Sequence, residues 1–167
     1  ILEKKGFSFN SEEYKKEIEK FLSPKWDRDL LDYKKIKDIQ KSIERIKIAI
    51  NNNEKIIIYA DYDCDGIPGA VILNDFFEKI NYKNFSIYIP NRHNEGYGLN
   101  KNAIQKFINE KVSLIITVDL GITNIEEIDF AEKNEINVII TDHHLPILDE
   151  NEKQKGFTHW FGNKFDS

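Results

Sequence analysis

Ile36, Ile39, Ile43, Ile46 and Ile50 recur at helical spacing, with Lys, Asp, Gln, Glu and Arg on the positions between them. Such a stripe predicts an amphipathic helix, ended at Asn51–Asn53. Upstream, Tyr14, Ile18, Phe21 and Leu22 share one face of an earlier helix, opened by a capping box of Asn10 and Glu13 and closed by Pro24. The segment SPKWDRDLLDY between the two helices reads as a connector. Downstream the period changes. KIIIYA, FSIYI, SLIITV and INVIIT are short runs of β-branched and aromatic residues, apolar on both faces, as strands covered on both sides require. Helical patterns over about 66–80, 101–110 and 123–134 separate them, the last opened by a second capping box of Thr123 and Glu126. Strands alternating with helices predict an α/β, doubly wound domain: a mainly parallel sheet of at least four strands with helices on both faces, preceded by N-terminal helices. The pattern leaves the strand order open.

Composition narrows the class. The 167 residues are 40% hydrophobic and 32% charged, which fits one folded domain and excludes a disordered chain. A net charge of -5 gives no overall attraction to nucleic acid, although lysines crowd the region from Lys4 to Lys55. The single cysteine, Cys64, cannot form an internal disulfide and points to a reducing, cytoplasmic setting. The longest apolar runs are too short to span a bilayer and the first residues lack a signal-peptide core, so no membrane role is expected. A first residue of Ile1 and the absence of methionine read as a fragment.

The chemistry lies where the strands end. Asp61, Asp63 and Asp65 follow the first strand, Asp119 the third, and Asp142, His143 and His144 the fourth. In an open parallel sheet these ends share one edge, where ligands bind. Four or five carboxylates gathered there would repel one another strongly without divalent cations. A centre of two ions resolves the conflict; the oxygen ligands favour Mg²⁺ or Mn²⁺, and imidazole moves the preference toward Mn²⁺. Two such ions suit phosphoester hydrolysis. Taken singly, Asp61 or Asp142 reads first as a turn or cap residue; it is the set at three strand ends that points to metal.

The blocks DYDCDG, PNRHNEGYGL, ITVDLGI and TDHH, in this order, resemble the DHH phosphoesterase superfamily, and the RecJ single-strand DNA exonucleases in particular, over roughly Phe21 to Pro146. The resemblance implies that Asp63 and Asp65 are metal ligands, that Asp119 bridges two ions and that His143 is a further ligand. Asp61, Asp142 and His144 would complete the ligand set, orient it or touch the phosphate. Asn91, Arg92 and Tyr97 would bind substrate, with Arg92 suited to a bidentate phosphate contact. Catalysis would then rest on Asp63, Asp65, Asp119, His143 and His144. The implied substrate is single-stranded DNA or an oligonucleotide, cut from the 5′ end, with single-strand-binding proteins or helicases as partners by the same resemblance.

Three departures accompany it. Tyr59 stands four residues before Asp63, where many members carry a histidine ligand; Pro68 replaces a small hydroxyl residue; and the chain after Pro146 has no counterpart of the later aspartate ligand. The expected organisation is a helical leader over 1–53, an incomplete DHH core over 54–147, an unmatched tail over 148–167 and no second, substrate-binding domain. Alternatives are a phosphodiesterase for short oligonucleotides or cyclic dinucleotides, against which the PNRHNEGYGL block speaks, and a non-catalytic scaffold of the same fold.

Overall fold

In a computed structural model of the chain, the four apolar runs form one sheet of parallel strands: β1 (Lys55–Ala60), β2 (Phe85–Tyr88), β3 (Val112–Val118) and β4 (Asn137–Thr141), in the order β2-β1-β3-β4. The structure describes residues 12–29 and 32–147, and these divide into two compact units between Ile36 and Lys37. The first unit holds helix α1 (Glu12–Leu22), a single turn α2 (Trp26–Asp29) and a 3-10 turn at Tyr33–Lys35. There the Arg28 guanidinium binds Asp29 and the Ser23 carbonyl, so the expected connector is locally folded. The capping box at Asn10 and the tail over 148–167 lie outside the described residues.

In the second unit, alternation along each strand sends neighbours to opposite faces. Ile56, Ile58, Ala60, Leu114, Ile116, Val118 and Ile139 face helices α3 (Ile39–Asn51) and α4 (Gly66–Lys79). Ile57, Tyr59, Ile115, Val138 and Ile140 face α5 (Lys101–Asn109) and α6 (Ile125–Lys133). Burial on both faces explains why β1 and β3 read as unbroken apolar runs, whereas β2, at the edge, is only half covered. The stripe that begins at Ile36 yields a helix only from Ile39, because Asp38 takes a left-handed conformation (φ 56°) and breaks the helical path. Arg45 then fixes α3 to the sheet through Asn137 (2.5 Å), Glu54 (2.6 Å) and the Ser113 carbonyl (3.3 Å).

Pro68 falls in the first turn of α4, where its missing N–H has no helical partner to lose, as expected. The capping box at Thr123 does not form. Asn124 occupies the cap position of α6, and its side-chain amide is drawn away to the backbone of Leu99, accepting from the N–H at 3.2 Å and donating to the carbonyl at 3.4 Å.

Candidate metal centre

Register brings the strand-end acids together. Ala60 pairs with Val118 and Val118 with Thr141, so Asp61, Asp119 and Asp142 each stand one residue beyond the same row of paired residues. The ladder even continues past the strands: Asp61 N–H donates to the Val118 carbonyl (3.1 Å) and Asp119 N–H to the Thr141 carbonyl (2.8 Å). The order β2-β1-β3 places β2 and β3 on opposite sides of β1, which makes the β1–β3 edge the switch point where open α/β sheets bind ligands.

The turn after β1 is tight. A Cβ on Gly66 would lie 2.4 Å from the Asp61 carbonyl oxygen, so only glycine fits there. Asp63 Oδ1 accepts from the N–H of Asp65 (2.9 Å) and of Gly66 (3.0 Å), and these bonds hold its carboxyl below the usual range. Asp63 therefore satisfies the start of α4 while staying exposed to the cleft. Asp65 is exposed at the cap position and makes no capping bond of its own. Asp61 is buried, and its Oδ1 accepts from Tyr62 N–H at 2.8 Å.

Asp119 is the centre of the arrangement. It is non-glycine with φ 63°, a conformation held by its surroundings at some cost, and only 7% exposed. Burial, and then the neighbouring Asp63 carboxylate, push its carboxyl up; His143 and His144 act against that rise. His143 Nε2 lies 3.0 Å from Asp119 Oδ1 and His144 Nδ1 3.9 Å, but neither has hydrogen-bond geometry, and this buried oxygen accepts no hydrogen bond. Asp142 is different. Burial opposes its ionisation, yet bonds from Ile122 N–H (2.9 Å), His144 N–H (3.1 Å) and the His144 ring (2.7 Å) hold its carboxyl below the usual range. The same bond raises the His144 imidazole. Tyr97 donates to the Asp119 carbonyl at 3.3 Å and lies 3.4 Å from His144 Nδ1; burial, then Asp142 and the other acids, push its hydroxyl up to about 12.

Two sets of donors result, with all ligand atoms in each within 4.8 Å of one another: Asp61, Asp63 and Asp119, and Asp119, His143 and His144. Asp119 belongs to both, and Asp65 to neither. An orphaned buried carboxylate oxygen between hard oxygen donors and imidazoles fits a divalent cation of the Mg²⁺ or Mn²⁺ type. Asn91 and Arg92 are exposed on the loop after β2, and the Arg92 guanidinium sits 5.3 Å from the centre of the Tyr62 ring. That stacking joins the loop to the acid turn. Sequence reasoning did not include Tyr62, because nothing in DYDCDG shows which residue Arg92 would meet.

A doubly wound α/β protein with a candidate two-cation centre at its switch point is thus the class that fold and site define. The chain belongs to the DHH family: the model of the DHH family, N-terminal domain, matches residues 55–160. A single-stranded-DNA-specific exonuclease RecJ of Bacillus subtilis is 41% identical over 126 residues, which cover 75% of this chain and 16% of that protein. The RecJ of Escherichia coli is 29% identical over 119 residues, 71% of this chain and 21% of its own length. A crystal structure of exonuclease RecJ bound to manganese superposes with a TM-score of 0.63 at 31% identity, over 72% of this chain and 30% of that one. The RecJ of Thermus thermophilus in complex with Mn²⁺ gives 0.59 at 27% identity, over 71% and 16%. The chain thus spans about a fifth or less of the length of these curated relatives. Among the described residues no helix is long and apolar enough to cross a membrane.

Proposed function

We propose that this chain is the metal-binding part of a RecJ-like exonuclease, which hydrolyses phosphodiester bonds of single-stranded DNA from the 5′ end in a cytoplasmic setting of DNA repair and recombination. The observation that carries this reading is the buried Oδ1 of Asp119, which accepts no hydrogen bond and lies where the two donor sets meet. Asp119 would serve both ions, with Asp61 and Asp63 on one side and His143 on the other, and Asp65, at the cap position of α4, would join them as a further ligand. Bound there, two Mn²⁺ or Mg²⁺ ions supply Lewis acidity toward the phosphate and ease deprotonation of the attacking water.

The chain's own residues divide the remaining tasks. Asp142 fixes the His144 ring by a 2.7 Å hydrogen bond to Nδ1, which holds the imidazole beside Asp119 and Tyr97 as a contact for a phosphate oxygen. Arg92, braced on Tyr62, meets a second phosphate of the strand with its planar fork of donors. Asn91 and Tyr97 line the approach. No covalent intermediate is required, and exposed Cys64 takes no part.

The test is nucleotide release from 5′-labelled single-stranded DNA, with thermal melting in Mn²⁺ alongside, for the parent chain and for Asp119→Asn. Metal-dependent release and a metal-dependent rise in melting temperature, both lost in the variant, are expected. A parent whose melting ignores Mn²⁺ and Mg²⁺ would overturn the metal assignment.

A further inference from the structure

The loop from Asn91 to Asn100 carries Arg92 and Tyr97 and leads into α5; most of it is exposed, with Leu99 its buried apolar anchor. What holds it is a polar assembly beneath it. The Glu95 carboxylate accepts from the Asn91 N–H at 2.7 Å, from the Asn100 side-chain amide at 3.2 Å and from the Tyr88 hydroxyl. The Tyr59 hydroxyl donates to the Gly98 carbonyl at 3.1 Å and accepts from the same Asn100 amide, also at 3.1 Å. Asn100 completes the set by accepting from Ala103 N–H at 2.7 Å, which starts α5. At Gly98 φ is +85°, and a Cβ there would meet Asn124 Oδ1 at 2.7 Å.

This arrangement gives Tyr59 a task unlike that of the histidine it stands in for. Tyr59 is fully buried in the face of the core that holds Phe107, and both of its hydrogen bonds go to the Asn91–Asn100 loop. Tyr88 stacks beside it at 5.1 Å, so two tyrosines rise from neighbouring strands and end on one loop. Among the described residues Glu95 joins the start of that loop, through Asn91 N–H, to its end, through Asn100.

We infer that Glu95 is a positioning residue: clamped by Tyr88, Asn100 and the Asn91 N–H, and backed by Tyr59, it fixes the loop so that Arg92 stands over Tyr62 beside the acid turn, ready for a backbone phosphate. The inference rests on the phosphate-binding reading of Arg92 for its purpose, but not for its geometry. Gln at 95 keeps the size while replacing one acceptor oxygen by a donor, which turns a donor toward either the Asn91 N–H or the groups of Tyr88 and Asn100.

Amide hydrogen exchange and oligonucleotide binding of the chain, as parent, Glu95→Gln, Arg92→Ala and the double variant, decide it. Glu95→Gln is expected to speed exchange at Asn91, Asn94 and position 95 itself tenfold or more, with the amides of β1 and β3 unchanged. Its salt dependence of binding to a single-stranded oligonucleotide should be shallower than the parent's by about one unit of slope and match that of Arg92→Ala, the double variant losing nothing further. Unchanged loop exchange overturns the inference. So does exchange that rises equally in loop and sheet, which is the result of a merely structural residue, and so do additive losses in the double variant. A parent that binds no oligonucleotide would sink the phosphate reading instead, and the exchange data would still decide whether Glu95 holds the loop.

Discussion

Two polar assemblies stand side by side at one edge of the sheet, and they are built on opposite principles. Under the loop after β2, the Glu95 carboxylate accepts three hydrogen bonds and lies below its ordinary pKa. At the ends of β1, β3 and β4, the Asp119 carboxylate is buried, leaves one oxygen without a donor and is pushed up by burial and by Asp63. A satisfied carboxylate is part of the fold. An unsatisfied one, kept in a left-handed backbone position beside like charges, is a site prepared for something positive. The contrast singles out Asp119 without reference to any relative, but it does not sort every acid: Asp63 accepts two hydrogen bonds and still belongs to a donor set, whereas Asp142 accepts three and orients His144.

The strongest way to break this comparison is to add the cation. At a concentration a hundredfold above its Kd, Mn²⁺ should stabilise the parent by about 2.7 kcal/mol, and Asp119→Ala should abolish the effect while Glu95→Gln retains it. Melting curves with and without Mn²⁺ check both halves of that statement. Next in size is the reversed sign without metal. Glu95→Gln should cost about 1–3 kcal/mol by leaving donors unpaired, whereas Asp119→Asn should melt no lower than the parent, because burial and Asp63 oppose the charge it removes more than His143 and His144 favour it. Denaturant unfolding in chelator reads the difference, and equal losses in the two variants would erase the distinction.

Acid titration sharpens the same contrast. Glu95 has a folded pKa below its ordinary 4.5, so its contribution to stability is complete above that value and is lost as pH falls through the folded one. Asp119 has a folded pKa above its ordinary 3.8, so what it contributes is present below that value and is lost as pH rises through the folded one. In metal-free protein, Glu95→Gln should therefore flatten the loss of stability on acidification and Asp119→Asn should steepen it, as measured by unfolding midpoints across the acidic range. The smallest effect is expected from Tyr59→Phe, which deletes one hydroxyl beneath the loop: about 1 kcal/mol of stability by denaturant unfolding, with Mn²⁺ affinity unchanged by calorimetric titration.

Period and composition determined a great deal. The isoleucine stripe of α3, the double-sided apolar runs of β1 and β3, and their alternation with helices dictate a doubly wound domain, because each period admits one way to bury its apolar side chains. The blocks DYDCDG, DLG and DHH mark the residues that bear charge at strand ends. Local cues proved weaker at α6: the helix starts after Asn124 and not after Thr123, so the expected capping box does not form, and the Asn124 amide serves Leu99 instead of the helix end. Only the tertiary structure decided that β3 lies between β1 and β4, and hence that Asp61, Asp119 and Asp142 follow the same row of paired residues. It also decided that Asp119 is the acid left without a donor, that Arg92 rests on Tyr62, and that Tyr59 looks to the loop. Strand order, register and burial depend on contacts between residues tens of positions apart, and a pattern that repeats every two or 3.6 residues carries no information about them.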